Sequence, residues 1–151
     1  MTIETSTITI CTHCNATNRI DVDRARSKDP VCGKCREPLE FHSFISELGV
    51  EQLEKLIARA GDKMVVVDFW APWCGPCMSF APTFERVAAR NAENMIFVKV
   101  DTEAHQVASE VFRIQSIPTF VIFKSGVERT RQSGALPEST FEDWLLNGAR
   151  F

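Results

Sequence analysis

The chain has 151 residues, of which 44% are hydrophobic and 25% are charged. This mixture is typical of a globular protein with one domain, or with a small domain joined to a second one, and it excludes collagen, coiled coil and disorder. The 17 Lys and Arg residues against 20 Asp and Glu give a net charge of −3. This charge argues against general binding to nucleic acids or membrane surfaces.

No stretch of about 18 apolar residues is present, so we expect no transmembrane helix. The first ten residues, MTIETSTITI, lack the basic segment and the continuous apolar segment of a secretory signal peptide. We therefore expect a cytoplasmic protein, in which cysteine thiols stay reduced. Nothing in the sequence requires more than a monomer.

The first 37 residues are polar and contain two C-x-x-C pairs, separated by 17 residues. Their few apolar side chains cannot form an independent core, so this segment needs another source of stability. Two tight turns with this spacing can direct four sulfurs at one ion, which is the pattern of a structural zinc site. We predict a zinc ribbon over residues 1–37 that binds one Zn²⁺. The predicted ligands are Cys11, Cys14, Cys32 and Cys35.

Two other interpretations of these cysteines stay open. Six cysteines in a secreted protein can form three structural disulfides, and the two N-terminal pairs can be free or disulfide-forming thiols. The lack of a signal peptide argues against the first interpretation, and the doubled spacing argues against the second. We expect His13 to be an exposed turn residue, since four thiolates already complete a tetrahedral site.

From Leu39 onward, apolar runs alternate with amphipathic stretches, which predicts an α/β domain over residues 38–151. The predicted strands are Leu39–Ile45, Met64–Trp70, Met95–Val100, Thr119–Phe123 and Val127–Arg131, the last two joined by a turn at Ser125-Gly126. The predicted helices cover Leu53–Ala60, Pro76 to about Arg90, Ala104–Phe112 and the region of Phe141–Leu145.

The third cysteine pair, Cys74 and Cys77, follows an apolar strand and opens a helix. The unpaired N–H groups at a helix N-terminus favour negative charge, which lowers the pKa of Cys74 and makes it a better nucleophile. Cys77 lies one turn further into the helix and should be more buried. Pro76 suits the first helical turn.

Asp68 interrupts the apolar run of the predicted strand Met64–Trp70. Burial raises the pKa of such a carboxyl group. The residue can therefore be a proton acceptor that helps to deprotonate Cys77, or a partly solvated aspartate near the end of a strand.

The segment WAPWCGPC, Trp70–Cys77, resembles the active-site motif of the thioredoxin family, and the resemblance extends from about Leu39 to the C-terminus. Ile117-Pro118-Thr119 resembles the family's cis-proline loop, and Gly134-Ala135 resembles the glycine turn beside its substrate groove. With the N-terminal cysteine pairs around Asn18-Arg19, the whole chain resembles the zinc-ribbon-bearing, thioredoxin 2 type of this family.

The resemblance implies a thioredoxin fold, in which helices flank a central mixed β-sheet, preceded here by the ribbon. It implies thiol–disulfide exchange, in which Cys74 attacks a disulfide of a protein substrate and Cys77 resolves the mixed disulfide. It also implies recharging by a flavin-containing thioredoxin reductase and NADPH. The chain itself has no G-x-G-x-x-G motif, and we expect it to bind neither flavin nor nicotinamide. The match at Asp68, and at Lys99 as its neighbour on the next strand, favours the proton-acceptor role.

The resemblance also implies a set of substrate contacts. These are Trp73, Gly75, Pro76, Ile117, Pro118, Gly134 and Ala135. Two alternatives stay open, since Trp73 can be a core residue and Pro118 can be an ordinary turn proline in the trans form. Many thioredoxins have a basic residue after the second active-site cysteine, whereas this chain has Met78, which bears on its redox potential and its partners.

Two rival functions remain. One is a disulfide oxidase or isomerase on the same fold, although the Gly-Pro between the cysteines resembles the reducing members. The other is a zinc-ribbon interaction module or redox-regulated chaperone, in which the dithiol is secondary. Nucleic-acid binding by the ribbon is the weakest option, because its six basic residues are offset by acidic ones and it has no aromatic stacking platform.

Overall fold

Strands and helices alternate along the chain in the computed structural model, which describes residues 5–148. The strands are β1 (Ser6–Ile10), β2 (Thr17–Asp21), β3 (Phe41–His42), β4 (Ile45–Glu47), β5 (Met64–Trp70), β6 (Met95–Asp101), β7 (Thr119–Lys124) and β8 (Val127–Ser133). The helices are α1 (Val22–Ala25), α2 (Val50–Arg59), α3 (Gly75–Asn91), α4 (Val107–Val111) and α5 (Glu138–Gly148). The predicted domain ranges also include residues 1–4 and 149–151, which lie outside the described residues.

A six-stranded mixed sheet, in the order β3-β4-β6-β5-β7-β8, forms the centre of the larger part of the chain. The central strand β5 is parallel to β6 and antiparallel to β7. Its first six residues are all buried, which explains why its sequence is a continuous apolar run rather than an alternating one. The mixed sheet flanked by helices confirms the predicted fold class.

The two faces of the sheet are covered by different helices. Side chains of β5 that alternate along the strand, such as Val65 and Val67, pack with Leu53 and Leu56 of α2. Val66, on the opposite face, packs with the phenylalanines of α3 and α5. By the same alternation, Asp68 belongs to the face that α3 covers.

The prediction of a single strand over Leu39–Ile45 is wrong in detail. Two short antiparallel strands, β3 and β4, form there, with Phe41 opposite Ser46 and His42 opposite Ile45. Ser43 and Phe44 make the connecting turn with φ angles of 54° and 65°, a conformation usually given to Asn or Gly. The sequence has neither residue there, so the turn was not apparent.

The other elements largely agree with the prediction. The hairpin between β7 and β8 turns at Ser125 and Gly126, as expected. Helix α4 is shorter than predicted, because the carboxylate of Asp101 accepts hydrogen bonds from the N–H groups of Glu103 and Ala104 and holds this segment in a turn. No helix among residues 5–148 has both the length and the apolar character needed to cross a bilayer.

The β1–β2 hairpin packs directly on the larger part of the chain. Ile10 of β1 is 1% exposed and joins the core of Leu53 and Leu56. The hydroxyl groups of Thr9 and Ser46 are hydrogen-bonded at 2.6 Å in a buried position. The contact is therefore a continuous core rather than a surface contact.

A second contact joins the turn after Cys14 to helix α2. The side chain of Asn15 donates a hydrogen bond to Glu51 at 3.0 Å and accepts one from Gln52 at 2.9 Å. The ammonium group of Lys55 donates to the backbone carbonyl of Asn15. These bonds attach the first cysteine turn to the beginning of α2.

The substitution Ile10→Ala tests whether this junction contributes to global stability. Because the side chain is buried in the shared core, we expect the free energy of unfolding to fall by about 2–4 kcal/mol. Urea denaturation measures it. The matched control is Val127→Ala at an exposed position, where we expect a change below about 0.5 kcal/mol. Equal effects of the two substitutions would contradict the shared core.

Candidate active site and metal centre

Cys74 and Cys77 lie where strand β5 gives way to helix α3. Cys74 is the N-cap of α3, and Pro76 occupies the first helical turn. The two cysteines form a disulfide with their Cα atoms 5.3 Å apart, so the structure represents the oxidised form. The backbone N–H of Cys77 donates to Sγ of Cys74 at 3.2 Å.

This hydrogen bond is directed at the atom that carries negative charge when the disulfide is reduced. A thiolate at the N-cap accepts the free N–H groups of the first turn and benefits from the helix dipole. Both cysteine residues are largely buried, Cys74 at 5% and Cys77 at 2% exposure. The site is therefore built for one activated sulfur that a partner must approach closely.

The surroundings of the disulfide are apolar on one side. Ala71 and the two cysteines form a small buried cluster, against which Trp70 and Ile117 pack. Sγ of Cys74 lies 3.8 Å from the carbonyl oxygen of Ile117. The peptide bond between Ile117 and Pro118 is cis, as the resemblance implied.

An open cleft lies beside the disulfide. Its lining consists of Trp73, Cys74, Gly75, Pro76, Thr102, Ser109, Ile114, Gln115, Ser116 and Ile117. Trp73 is 71% exposed, which favours the contact-surface interpretation over the core interpretation. The structure therefore brings four of the predicted substrate contacts together at the disulfide.

The glycine turn lies next to the cis proline. The N–H of Gly134 donates to the carbonyl oxygen of Pro118 at 2.8 Å, and its φ of 86° requires a glycine. Ala135 follows it in an exposed position. This hydrogen bond places the two segments that the resemblance identified side by side.

Half of the cleft residues were missed by the sequence analysis. Thr102, Ser109, Ile114, Gln115 and Ser116 lie on the connection between β6 and the cis proline or on α4. No motif or unusual residue type distinguishes them from an ordinary loop. Only their position opposite Trp73 in the fold marks them.

Asp68 is a buried carboxyl group on β5, the strand that leads to the disulfide. It is 1% exposed, and its Oδ1 has no hydrogen-bond partner among the described residues. Burial raises its pKa to about 7, and the nearby positive charge of Lys99 limits this increase. The high pKa agrees with the sequence-based expectation.

Lys99 lies opposite Asp68 in the parallel pairing of β5 and β6. Its ammonium group stands 4.2 Å from the centre of the Trp70 ring, a cation–π contact. The lysine is thus held between the aromatic ring of the first residue of the WAPWCGPC segment and the buried carboxyl group. This position agrees with the predicted pairing of Lys99 and Asp68.

The four N-terminal cysteines form one cluster. Their sulfur atoms all lie within 4.8 Å of one another, and two sulfur pairs, Cys11 with Cys35 and Cys14 with Cys32, are 3.7 Å apart. Tetrahedral zinc with bonds of about 2.3 Å would separate its sulfur ligands by about 3.8 Å. The cluster therefore has the dimensions and the donor chemistry to hold a metal ion.

Both cysteine turns have the same backbone geometry. In each, the N–H of the second residue after the first cysteine donates to that cysteine's sulfur at 3.4 Å, from His13 to Cys11 and from Lys34 to Cys32. The residue after the second cysteine has a positive φ, 62° at Asn15 and 71° at Arg36. His13 is exposed, as predicted.

Asn18 of β2 connects the ribbon strands to the second cysteine turn. Its Nδ2 donates to Sγ of Cys32 at 3.4 Å, and its Oδ1 accepts the N–H of Gly33 at 2.9 Å. The backbone N–H of Cys35 and the amide of Asn18 both lower the pKa of Cys32. Such partners orient a metal ligand and stabilise its thiolate form.

A dithiol at a strand-to-helix junction, facing a cis proline on a mixed sheet, defines a thiol–disulfide oxidoreductase. A sequence model of the thioredoxin family matches residues 44–147. The chain therefore belongs to the thioredoxin family of protein-disulfide oxidoreductases.

Relatives with known names agree with this assignment. Thioredoxin C-3 of Corynebacterium nephridii is 38% identical over 138 residues, which cover 91% of this chain and 92% of the relative. Putative thioredoxin 2 of Streptomyces coelicolor is 41% identical over 97 residues, which cover 64% and 70%. The first alignment is long enough to reach into the four-cysteine region. Together with the cysteine cluster, these relatives agree with the ribbon-bearing, thioredoxin 2 type of the family.

Two solved structures share the fold of the larger part of the chain. Thioredoxin of Malassezia sympodialis is 31% identical with a TM-score of 0.63, and the match covers 70% of this chain and 93% of that one. The short form of thioredoxin f from spinach chloroplast is 30% identical with a TM-score of 0.64, covering 71% and 94%.

The pKa of Asp68 predicts how stability depends on pH. The folded-state pKa of about 7 lies above the ordinary value of 3.8 for an aspartate, so the folded protein holds this proton more tightly than the unfolded chain. The stability that this bound proton contributes is therefore fully present below pH 4, and it is lost as the pH rises towards 7. We expect Asp68→Asn to remove this loss, which amounts to on the order of 4 kcal/mol.

Urea denaturation of the wild type and the D68N variant at pH 4 and pH 8 measures this difference. The free energy of unfolding of the variant, measured relative to the wild type, should be higher at pH 8 than at pH 4. The same substitution at the exposed Asp143 is the control and should change little at either pH. If the difference in free energy of unfolding between D68N and the wild type is the same at both pH values, the high pKa of Asp68 is contradicted.

Proposed function

We propose that this protein reduces disulfide bonds of cytosolic proteins through Cys74 and Cys77. The observation that carries the proposal is the N–H of Cys77 directed at Sγ of Cys74 beside an open cleft. This arrangement favours the thiolate of Cys74 in the reduced protein. A stable thiolate favours the reduced dithiol form, which is the form that reacts with a disulfide substrate.

The reaction proceeds by two exchanges. The Cys74 thiolate attacks one sulfur of the substrate disulfide, forms a mixed disulfide and releases the other substrate sulfur as a thiolate. The Cys77 thiolate then attacks Sγ of Cys74, which releases the second substrate thiolate. Two electrons pass to the substrate, and the protein is left with the Cys74–Cys77 disulfide seen in the structure.

Asp68 serves as the proton acceptor for Cys77 in this scheme. Its raised pKa, about 7, suits a group that must take and return a proton near neutral pH. Its unpartnered Oδ1 leaves an acceptor available in the buried site. Lys99 contributes by balancing the negative charge of the carboxylate.

The substrate polypeptide binds along the surface around the disulfide. Trp73, Gly75 and Pro76 form one side of this surface, and Ile117 forms the other, where a cis peptide bond joins it to the buried Pro118. Gly134 and Ala135 extend it beyond the cis proline. The backbone of Ile117, which lines the cleft, can pair with an extended substrate segment.

The oxidised protein is recharged by a thioredoxin reductase that takes electrons from NADPH. The family assignment supports this partner. The same assignment supports a cytoplasmic location.

The four-cysteine cluster holds one structural Zn²⁺. The ligands are Cys11, Cys14, Cys32 and Cys35, and a bound zinc ion supplies rigid tetrahedral links between the two turns. Four thiolates leave no position for a substrate, so the ion stabilises the ribbon and takes no part in disulfide exchange. Zinc thereby contributes the stability that the small apolar content of residues 1–37 cannot provide.

Cys74→Ser tests the reductase function. With dithiothreitol as electron donor and insulin as the disulfide substrate, the wild type should accelerate reduction strongly and the variant should show only the background rate. Cys77→Ser, mixed with the substrate after dithiothreitol has been removed, should instead accumulate a mixed disulfide, detectable by mass spectrometry. Background rates in both the wild type and C74S would argue for the interaction-module function.

Cys11→Ser and Cys32→Ser test the metal ligands. We expect each variant to lose most of its bound zinc, measured by elemental analysis, and to keep much of its insulin-reducing activity, because the ion lies outside the exchange reaction. Thr12→Ser, which changes the first cysteine turn without removing a sulfur, is the control and should keep its zinc. Unchanged zinc content in the two cysteine variants would overturn the ligand assignment.

A further inference from the structure

A second cleft lies within the ribbon. It is lined by Ser6, Arg19, Ile20, Asp21, Arg24, Ala25, Lys28, Asp29, Pro30, Val31 and Leu39. Most of these residues belong to the 17-residue segment between the two cysteine pairs, which forms β2, α1 and the approach to the second turn. All of them lie outside residues 44–147, which the thioredoxin family model matches.

The floor of this ribbon cleft is apolar. Ile20 and Leu39 are buried beneath it, and Ala25 is half-buried beside them. Val31 is 54% exposed at its mouth, so an apolar side chain faces solvent there. A ligand that covers Val31 and reaches the floor would bury apolar surface that is exposed to solvent in the free protein.

The lining of the ribbon cleft has three basic residues, Arg19, Arg24 and Lys28, against two acidic residues. Arg24 and Lys28, four residues apart, present exposed cationic side chains, whereas the carboxylate of Asp21 already accepts the backbone N–H of Arg24 at 3.1 Å. Asp29 is the other acidic residue of the lining. Residues 1–37 carry six basic against five acidic residues, while the whole chain has a net charge of −3. The ribbon cleft therefore has a small excess of positive charge on a chain whose net charge is negative, which favours a negatively charged partner there.

We propose that the ribbon cleft binds an acidic segment of a partner protein, with an apolar side chain of that segment covering Val31 and its carboxylates facing Arg24 and Lys28. No aromatic residue lines the cleft, so it offers no surface on which nucleic-acid bases could stack. A protein segment matches both the apolar floor and the basic residues of the lining.

This inference rests on the proposed reductase function, because the partner in question is a disulfide substrate. A substrate held at both the ribbon cleft and the dithiol binds through two linked contacts, and its disulfide is presented at a raised effective concentration. The ribbon cleft then selects among substrates by lowering KM for those with an acidic, apolar segment. It does not change the chemical step.

The first experiment measures binding without exchange chemistry. A fluorescein-labelled peptide of alternating leucine and glutamate is titrated with the full chain carrying Cys74→Ser and Cys77→Ser, and its fluorescence anisotropy is recorded. We expect saturable binding that weakens about tenfold when Arg24→Glu and Lys28→Glu are added, and that also weakens at high salt. Arg59→Glu, on α2 and outside the cleft, is the matched control and should leave the affinity unchanged.

Three results would overturn the proposal: no binding of the acidic peptide, equal binding of a leucine–lysine peptide, or binding that the charge reversals leave intact. Zinc content and circular dichroism of the charge-reversal variant show whether its ribbon is folded. If the double reversal unfolds the ribbon, Val31→Ser provides a milder test, and its affinity must fall below that of the wild type.

The second experiment separates this inference from the reductase function. Two model disulfide peptides, one with and one without a leucine–glutamate extension, are reduced by the wild type and by the R24E/K28E variant. We expect the extension to lower KM at constant kcat for the wild type only. Equal KM values for both peptides would overturn the ribbon-cleft proposal, whereas activity that survives Cys74→Ser would overturn the reductase function.

Discussion

The hydrogen bond from the N–H of Cys77 to Sγ of Cys74 is the contact on which the chemistry depends. It exists because α3 begins immediately after the turn that follows β5, so that the first free N–H groups of the helix meet the sulfur at its N-cap. Strand β5 fixes the position of that turn, because it is buried between β6 and β7 along nearly its whole length. The sheet thus determines where the thiolate can form.

The same strand carries a feature of the interior that is unfavourable for folding. A carboxyl group with an unpartnered oxygen in an apolar core costs stability at neutral pH. A protein selected for stability alone would place an apolar residue at position 68. In the proposed mechanism, the raised pKa of Asp68 suits the proton that Cys77 must release during exchange. Function and stability therefore conflict at this position.

Much of the fold could be predicted from the sequence because its determinants are local. Continuous apolar runs marked β5 and β6, and the spacing of the cysteines marked both sulfur clusters. The β3–β4 turn was missed because Ser43 and Phe44 adopt positive φ without the residue types that usually indicate it. The far wall of the cleft was missed for a different reason, since Thr102 and Gln115 acquire their position only when the sheet assembles. Tertiary packing, not local preference, decides such positions.

The burial of Ile10 has a consequence for how proteins of this kind can arise. Since this side chain of the ribbon completes a core that begins with Leu53 and Leu56, the two parts cannot be exchanged by recombination as independent modules. A gene that lost the first forty codons would encode a domain with an open apolar socket beside α2. To stay soluble and folded, this shortened domain would need polar substitutions at the apolar surface that the ribbon now covers. The ribbon and the surface of α2 are therefore expected to evolve together.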